Sequence, residues 1–447
     1  MIFADDIIAA PATPPGRGAV AVVRVSGPDL SRLITGLTGR TLKPRHAHYL
    51  AFRDAEGNVI DRGLALFFPA PRSYTGEDLL ELHCHGSPAV VEALLQCLFR
   101  LGARPAEPGE FTRRAFVNGK LDLAQAEAVA ALIESSSVQA VRAAQRSLEG
   151  EFSRLVHALT EALTRLRVQV EAAIDFSDED IDLIAEGDVL SRLQEVMDDL
   201  AILRRRAHQG RLLEEGMTVV IAGPPNAGKS SLLNRLAQRE AAIVTDVAGT
   251  TRDLLCERIL IDGMPLHVID TAGLRASDDP VEREGIRRAR EALTRADHIL
   301  LVSDVQEPDM AEALLADLPG PVPVTRIFNK IDLTGTPPHL EEDDNPRIYL
   351  SARTGEGLEL LRRHLKSCMG FEAEAEDALA ARRRHLEALD RAERAMQQAL
   401  AELKTGQMLE LVAENLRLAQ NALGEITGEV TSDDLLGRIF SEFCIGK

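Results

Sequence analysis

Short hydrophobic runs alternate with turn residues over the first part of the chain. Runs such as AVAVVRVSG and LALFFPAP are rich in β-branched and aromatic residues and are bounded by proline and glycine, which is typical of β-strands. One longer stretch, PAVVEALLQCLFRLG, has the composition of a helix. The pattern therefore predicts an N-terminal α+β domain over residues 1–118.

The pattern changes after Leu121, where Ala, Leu, Glu, Gln and Arg dominate. Hydrophobic residues now recur at steps of three and four, which places them along one face of a long helix. The members of this stripe are Leu155, Leu159, Leu163, Leu166, Val170 and Ile174. A second helical segment runs from 188 to 210, and helical composition returns after the acidic linker FEAEAEDA.

Between the two helical tracts, short apolar strands alternate with helices, which predicts a mostly parallel sheet covered on both faces. Amphipathic helices must bury their hydrophobic faces. We therefore expect the tracts 119–215 and 371–447 to form one all-α domain, into which an α/β domain at 216–370 is inserted. Two separate helical subdomains remain the alternative.

Composition and charge narrow the classes of function. The chain has 447 residues, which is enough for about three domains. Its net charge of -19 restricts any RNA contact to local patches. The five cysteines are scattered, which argues against a disulfide framework or a cysteine-rich zinc site. Neither a membrane-spanning run nor a secretory signal is visible, so we expect a cytoplasmic protein.

The segment GPPNAGKS, residues 223–230, predicts a phosphate-binding loop. It follows the strand-like run MTVVIAG and leads into the helical SLLNRLAQ, the context that G-x-x-x-x-G-K-S requires. Glycines let backbone N–H groups close around phosphate oxygens, and the start of the helix adds partial positive charge. We expect Lys229 to reach the β and γ phosphates of a bound nucleotide and the Ser230 hydroxyl to hold Mg²⁺.

Three downstream motifs follow predicted strands and indicate that the nucleotide is GTP. DTAG, at 270–273, would place a carboxylate near the metal and a backbone N–H near the γ phosphate. NKID, at 329–332, offers the Asp332 carboxylate to the two N–H groups on the Watson-Crick edge of guanine, a pair that adenine lacks. SAR, at 351–353, can meet the guanine oxygen through its backbone. Ligands of open α/β sheets bind at such strand ends, so the ordered set predicts a GTPase.

The loop TDVAGTTRD, at 245–253, lies where a segment ordered by the γ phosphate and Mg²⁺ would sit, with Thr251 as a second hydroxyl ligand. A flexible surface loop is the alternative. Leu274 follows DTAG, where many small GTPases have a glutamine that positions the attacking water. Water orientation must then come from another side chain, a bound cation or a partner.

We predict contact with the nucleotide or its metal for residues in each of these motifs. In chain order they are Asn226, Ala227, Gly228, Lys229, Ser230, Ser231, Thr245, Asp246, Val247, Ala248, Gly249, Thr250, Thr251, Asp270, Thr271, Ala272, Gly273, Asn329, Lys330, Asp332, Ser351, Ala352 and Arg353.

Over its whole length the chain resembles the tRNA-modification GTPases of the MnmE (TrmE) family. The resemblance rests on ATPPGRGAVAVVRVSG, SYTGEDLLELHCHG, NGKLDLAQAEAVAALI, GPPNAGKSSLLN, TDVAGTTRD, DTAGLR and the terminal FCIGK. It implies a three-domain homodimer joined through its N-terminal domains. It also implies action with the flavoprotein MnmG, in a heterotetramer, on the wobble uridine of certain tRNAs, to leave a carboxymethylaminomethyl group at carbon 5.

The resemblance implies a tetrahydrofolate derivative, in the 5-formyl or methylene form, bound by the N-terminal domain. Matching the family pattern onto this chain gives Arg24, Glu81, Lys120 and the terminal Lys447 as its binding residues. Arginine and lysine suit the glutamate carboxylates of folate, and a carboxylate suits the amino-substituted edge of the pterin. As plain residues, each of the four would more often be a solvated charge.

The resemblance further implies K⁺-aided GTP hydrolysis when two GTPase domains meet across the dimer. The K⁺ ligands would be a side-chain oxygen of Asn226, backbone oxygens of Thr245 and Val247, and a contact from Thr250. A cation beside the phosphates could supply the charge that an arginine finger supplies elsewhere. Glu282, in VEREGI, would orient the attacking water, although a carboxylate at a helix start is its simpler interpretation.

Cys444, in the terminal CIGK, is either a thiolate nucleophile in one-carbon transfer or a small apolar residue packed at the chain end.

Two other classes of protein remain possible from the sequence. One is a ribosome-assembly GTPase, whose central domain would look much the same. The other is a folate-binding scaffold in which the GTPase domain only regulates assembly.

Overall fold

The computed structural model describes most of the chain. The described residues are 6–175, 188–239, 256–261, 264–270, 296–308, 322–343, 345–368, 377–405, 409–430, 433–441, 443 and 446. They fall into two compact units, each with its own sheet. The first unit consists of Met1–Ala130, Ser147–Asp198 and Ala388–Lys447, and the second of Ala131–Arg146 and Asp199–Glu387. Among the described helices, none is both long enough and apolar enough to span a bilayer.

The first unit contains a mixed sheet of the predicted α+β type. Its strands are β1 (Ile7–Pro11), β2 (Gly18–Gly27), β3 (His48–Arg53), β4 (Val59–Phe68), β5 (Asp78–Gly86) and β6 (Ala103–Pro105). Their order is β3-β4-β5-β2-β1-β6, and only the β1/β6 pair is parallel. The helices of this region are α1 (Ser31–Thr38), α2 (Pro88–Arg100) and α3 (Glu110–Val117). Alternating strand residues and the inner faces of α1 and α2 form one hydrophobic core.

The long helices of the first unit pair as their hydrophobic stripes require. The helices of both units that follow α3 are, in chain order, α4 (Leu123–Glu134), α5 (Val138–Leu148), α6 (Glu151–Asp175), α7 (Val189–Glu215), α8 (Lys229–Arg239), α9 (Leu358–Cys368), α10 (Arg383–Thr405), α11 (Leu409–Thr427) and α12 (Asp433–Ser441). Of these, α8 and α9 lie wholly in the second unit. Helix α6 packs along α11 within the first unit. The buried face of α6 includes Leu159, Leu163, Leu166 and Val170, whereas Leu155 and Ile174 lie half-buried at its margins.

The second unit contains the predicted mostly parallel sheet. Its strands are β7 (Met217–Ala222), β8 (Cys256–Ile261), β9 (Met264–Asp270), β10 (His298–Asp304), β11 (Val324–Asn329), β12 (His339–Glu341) and β13 (Arg347–Tyr349). Their order is β12-β13-β11-β10-β7-β9-β8, with β8 and β12 as antiparallel edge strands and the five inner strands parallel. The carboxyl ends of the parallel strands therefore share one edge, and the loops that follow them can form one site.

Helical residues outside the α/β segment contribute to the core of the second unit. Ala140, Ala143, Leu212 and Leu213 belong to the same buried cluster as strand β7. The guanidinium of Arg146 donates to the carbonyl of Ala378 at 2.5 and 3.1 Å. The domain boundaries predicted from the sequence, 118/119, 215/216 and 370/371, stay predictions.

Candidate nucleotide-binding site

The phosphate-binding loop joins the buried strand β7 to helix α8. Its first glycine, Gly223, has φ 149°, Asn226 has φ 62° and Gly228 has φ 95°. A Cβ atom added to Gly223 would lie 2.1 Å from the carbonyl oxygen of Val302, and one on Gly228 would lie 2.2 Å from Nδ2 of Asn329. Both positions therefore require glycine for backbone conformation and for space.

Lys229 and Ser230 begin α8 directly after this loop. Lys229 is buried, and its ammonium donates to the carbonyls of Gly223 at 3.0 Å and Pro224 at 2.9 Å. Ser230 and Ser231 are exposed at the amino-terminal end of the helix. The ammonium, the hydroxyls and the N–H groups of the first helical turn thus lie together, an arrangement suited to phosphate oxygens.

Asn329 joins three segments of the site. Its side chain is 3% exposed, and its Nδ2 donates to the carbonyl of Ala227 in the phosphate-binding loop at 2.8 Å. Its Oδ1 accepts from the backbone N–H of Lys330 at 2.8 Å and of Ala352 at 2.9 Å. Lys330 belongs to NKID and Ala352 to SAR, the two loops that are predicted to bind the base. The Asn329 amide therefore fixes the position of both loops relative to the phosphate loop. The Ala352 N–H, one of the groups expected at the guanine oxygen, is engaged here by Asn329.

Asp332 lies in a short 3-10 helix, Ile331–Leu333, that follows β11. Its Oδ1 accepts from the Ser351 hydroxyl at 2.6 Å. Its Oδ2 lies 3.3 Å from the guanidinium of Arg353, whose side chain is 79% exposed. The Ser351 hydroxyl therefore orients the carboxylate that is predicted to bind guanine, and the exposed Arg353 guanidinium adds only a weak ion pair.

Two residues that sequence reasoning missed support these loops. Arg235, on α8, donates to the carbonyls of Ala352 at 3.3 Å and Arg353 at 2.7 Å. Asp304, the last residue of β10, accepts from Lys330 Nζ at 2.8 Å. Burial raises the pKa of Asp304, but the hydrogen bond and charge of Lys330 outweigh this effect and hold the pKa below its usual value. The position of Asp304 at a strand end could have identified it, because the other motifs occupy equivalent positions.

Many predicted site residues lie outside the described part of the chain. Of Asp270, at the end of β9, only the backbone is described. The others are Thr245, Asp246, Val247, Ala248, Gly249, Thr250, Thr251, Thr271, Ala272, Gly273, Glu282, Cys444 and Lys447. The structure thus describes Ser230 of the proposed Mg²⁺ ligands and Asn226 of the proposed K⁺ ligands.

Arg24 and Glu81, predicted to bind folate, are cross-strand neighbours on β2 and β5. Their side chains form an ion pair at 2.8 Å in which both groups are about one-fifth exposed. The guanidinium carbon of Arg24 lies 5.5 Å from the ring centre of Tyr74 and 5.9 Å from that of Phe111. Phe111 is fully buried and Tyr74 is half-buried, so the Arg24 guanidinium lies against packed aromatic rings while its ion pair with Glu81 stays partly exposed.

Lys120 lies beside the same loop that carries Tyr74. Its exposed ammonium donates to the carbonyl of Pro71 at 3.2 Å, and its aliphatic stem would be 3.3 Å from a Cβ atom added to Gly76. Pro71, Tyr74 and Gly76 all belong to the segment between β4 and β5. This one loop thus contacts two of the predicted folate residues, Arg24 through Tyr74 and Lys120 directly.

Comparison with known proteins gives matches along the chain. A family model described as the GTP-binding protein TrmE N-terminus matches residues 7–120, and one described as the MnmE helical domain matches 123–444. A tRNA modification GTPase MnmE of Pseudomonas paraeruginosa is 60% identical over 455 residues, covering 100% of both chains. Another, of Methylococcus capsulatus, is 57% identical over 443 residues, covering 99% of both. The solved structure of Era of Aquifex aeolicus is 26% identical over 41% of this chain and 67% of its own, with a TM-score of 0.27.

Proposed function

Because this chain belongs to the MnmE family of tRNA modification GTPases, we propose that it acts on the wobble uridine of certain tRNAs together with the flavoprotein MnmG. The product would carry a carboxymethylaminomethyl group at carbon 5. The observation that carries the GTP-dependent part is the Asn329 amide, which ties the phosphate loop to both base-binding loops. Similarity along the full length favours this function over a ribosome-assembly GTPase or a folate scaffold.

GTP would bind at the edge where the parallel strands end. The close approach of the backbone at Gly223 and Gly228 supports a loop shaped around phosphates. Lys229 would contact the β and γ phosphates, and the hydroxyls of Ser230 and Thr251 would hold Mg²⁺. When bound, Mg²⁺ neutralises charge that develops on the phosphate oxygens. Asp332 would select guanine by accepting from the base N–H groups.

Hydrolysis would require two GTPase domains of a homodimer. Asn226 is exposed at the tip of the phosphate loop in a left-handed conformation, which supports its role as a K⁺ ligand alongside Thr245, Val247 and Thr250. K⁺ would supply positive charge beside the phosphates. Glu282 would orient the attacking water, a task that Leu274, after DTAG, cannot perform.

The N-terminal domain would bind the tetrahydrofolate derivative and join the two protomers. Arg24 and Lys120 would meet the glutamate carboxylates, and Glu81 would meet the pterin edge, with Lys447 completing the site. The partly exposed Arg24–Glu81 pair supports this assignment, because it offers a guanidinium to carboxylates and a carboxylate to amino groups. Cys444 would be either the nucleophile or a packing residue.

The experiment that tests the proposal is mass spectrometry of tRNA nucleosides from a deletion strain. Wild-type protein should restore the modified wobble uridine, and Lys229→Ala should not. Gly335→Ala is the matched control, since Gly335 lies in the same unit but a Cβ atom there meets nothing within 4 Å. Full restoration by Lys229→Ala would separate GTP hydrolysis from tRNA modification and overturn the proposal. GTP turnover in K⁺ and in Na⁺ would test the cation separately.

A further inference from the structure

A second cluster of polar side chains lies at the other ends of strands β10 and β11. His298 begins β10 and is 5% exposed, and His364 and Cys368 lie one turn apart on α9. Residues four apart share one face of a helix, so both α9 side chains face the same point. One ligand atom from each of the three side chains lies within 4.8 Å of the others.

The hydroxyl of Thr325, at the start of β11, lies between the two imidazoles. Its Oγ1 is 2.8 Å from Nε2 of His298 and 2.7 Å from Nε2 of His364. The Cys368 sulfur is 3.4 Å from the same His364 nitrogen. Two ring nitrogens and a sulfur therefore converge on one small volume that a single hydroxyl now bridges.

These three groups are the donors that Zn²⁺ prefers. Zinc binds histidine nitrogen at about 2.0–2.1 Å and cysteine sulfur at about 2.3 Å, so ligand atoms around a tetrahedral ion are about 3.3–3.6 Å apart. The His364 nitrogen and the Cys368 sulfur are already 3.4 Å apart, and the widest separation, up to 4.8 Å, would have to close by about 1.2–1.5 Å through side-chain rotation. His298 is buried, and His364 and Cys368 are half-buried.

The position of the cluster separates it from the nucleotide site. Strand β10 runs from His298 to Asp304, and Asp304 contacts Lys330 among the base-binding loops. Six residues of strand span about 20 Å. An ion at His298 would therefore be remote from bound nucleotide and would act on the packing of α9 against the sheet.

We propose that His298, His364 and Cys368 form a Zn²⁺ site, with the Thr325 hydroxyl or a water molecule as the fourth ligand. The ion would join the start of two neighbouring strands to the last helix of the nucleotide-binding segment. Binding of Zn²⁺ stabilises the folded state, because the unfolded chain does not hold the three ligands together. The inference goes beyond the proposed function, since neither GTP nor tRNA takes part.

Co²⁺ is a suitable probe because cobalt bound to thiolate has a charge-transfer absorption that cobalt bound only to oxygen lacks. Chelator-treated full-length protein, saturated with Mg²⁺ and GDP, would be titrated with Co²⁺. We expect the thiolate band to saturate at one Co²⁺ per chain and to disappear when Zn²⁺ is added. Zn²⁺ should also raise the melting temperature of the wild-type protein.

Variants identify the ligands. Cys368→Ser should abolish the thiolate band and the zinc-dependent rise in melting temperature, and His364→Gln should weaken Co²⁺ binding at least tenfold. Cys97→Ser and His339→Gln are matched controls outside the cluster and should bind as wild type does. A wild-type titration without the band, or a band that persists in Cys368→Ser, would overturn the proposal.

X-ray absorption of the zinc-loaded wild-type protein decides the matter if a variant fails to fold. The proposal requires one sulfur and two imidazole nitrogens in the first coordination shell. A shell without sulfur, or with more than one sulfur, would contradict it.

Discussion

Asn329 shows how much of the nucleotide site depends on one uncharged side chain. Its amide is fully buried and satisfies one carbonyl and two backbone N–H groups, which belong to Ala227, Lys330 and Ala352. Each buried polar group left without a partner costs about 1–3 kcal/mol. Removing this amide should therefore loosen both the loop that is predicted to bind the phosphates and the loops that are predicted to bind the base.

We predict that Asn329→Ala lowers GTP affinity at least tenfold, because three backbone groups lose their partner. Equilibrium binding of a fluorescent GDP analogue measures the effect. Asn58→Ala is the control, since Asn58 is exposed and its side chain bonds with Asp54 of the same turn. Affinity within twofold of wild type in Asn329→Ala would show that the loops hold their positions without the amide.

A second prediction concerns base selection by Asp332. Replacing it with asparagine keeps the size of the side chain but offers an N–H₂ group where guanine presents its own donors. We expect Asp332→Asn to weaken GTP binding about 100-fold, equivalent to about 2.7 kcal/mol, the scale of hydrogen bonds to a charged group. Arg353→Ala should change it less than about threefold, because exposed ion pairs contribute little. Equal losses in the two variants would contradict the assignment.

Among the elements, the strand-loop-helix unit of β7 and α8 is shaped by close backbone approach. Gly228 combines a left-handed φ with a side-chain contact that leaves no room for a Cβ atom. Gly335 has φ 71° but open space around it. Alanine at Gly335 would therefore cost only backbone strain, about 1–2 kcal/mol. Alanine at Gly228 would cost the same strain and would also displace Asn329.

We predict that Gly228→Ala abolishes measurable GTP binding while Gly335→Ala leaves affinity within about threefold of wild type. Both variants should melt at a lower temperature, since both carry left-handed strain. Calorimetric titration with GTP, beside thermal unfolding of each variant, makes the comparison. If both variants bound GTP alike, the close approach of Gly228 to Asn329 would have no part in forming the loop.

At the scale of the whole molecule, a buried ion network joins distant parts of the first unit. Arg114 is 1% exposed and contacts Asp6, Glu77 and Glu110 at 2.7–3.0 Å. Arg104 bonds the Glu110 carboxylate as well, at 2.6 Å. Burial raises the pKa of Glu110, but the arginine hydrogen bonds outweigh it and hold the pKa below its usual value. Breaking a buried pair of this kind costs about 3–5 kcal/mol.

The network makes stability depend on pH in a definite direction. Glu110 has a lower pKa folded than unfolded, so its stabilising effect is present at neutral pH and is lost as pH falls below about 4.5. We predict that Glu110→Gln melts several degrees below wild type at pH 7 and that the gap narrows near pH 4. Calorimetry at both values checks this, with the exposed Glu92→Gln as control. A gap independent of pH would show that Glu110 does not act through its charge.

Local sequence determined much of the architecture. The strand, loop and helix around GPPNAGKS, the period of the helices and the run of parallel strands could all be predicted, because each depends on neighbouring residues or on a short repeat. The stripe on α6 was right at its centre and displaced at its margins, where Leu155 and Ile174 lie at the edges of the buried face. Helix periodicity defines such margins least well.

Only the tertiary structure decided which side chains meet. The bond from Asn329 to Ala227 spans 102 positions of the chain, the Arg24–Glu81 pair spans 57, and His298 lies near two donors on a helix more than sixty residues later. The order and register of strands bring these groups together, and neither follows from a local period. The sequence therefore predicts the chemical groups of the nucleotide site, whereas sheet topology determined the contacts that hold them in place.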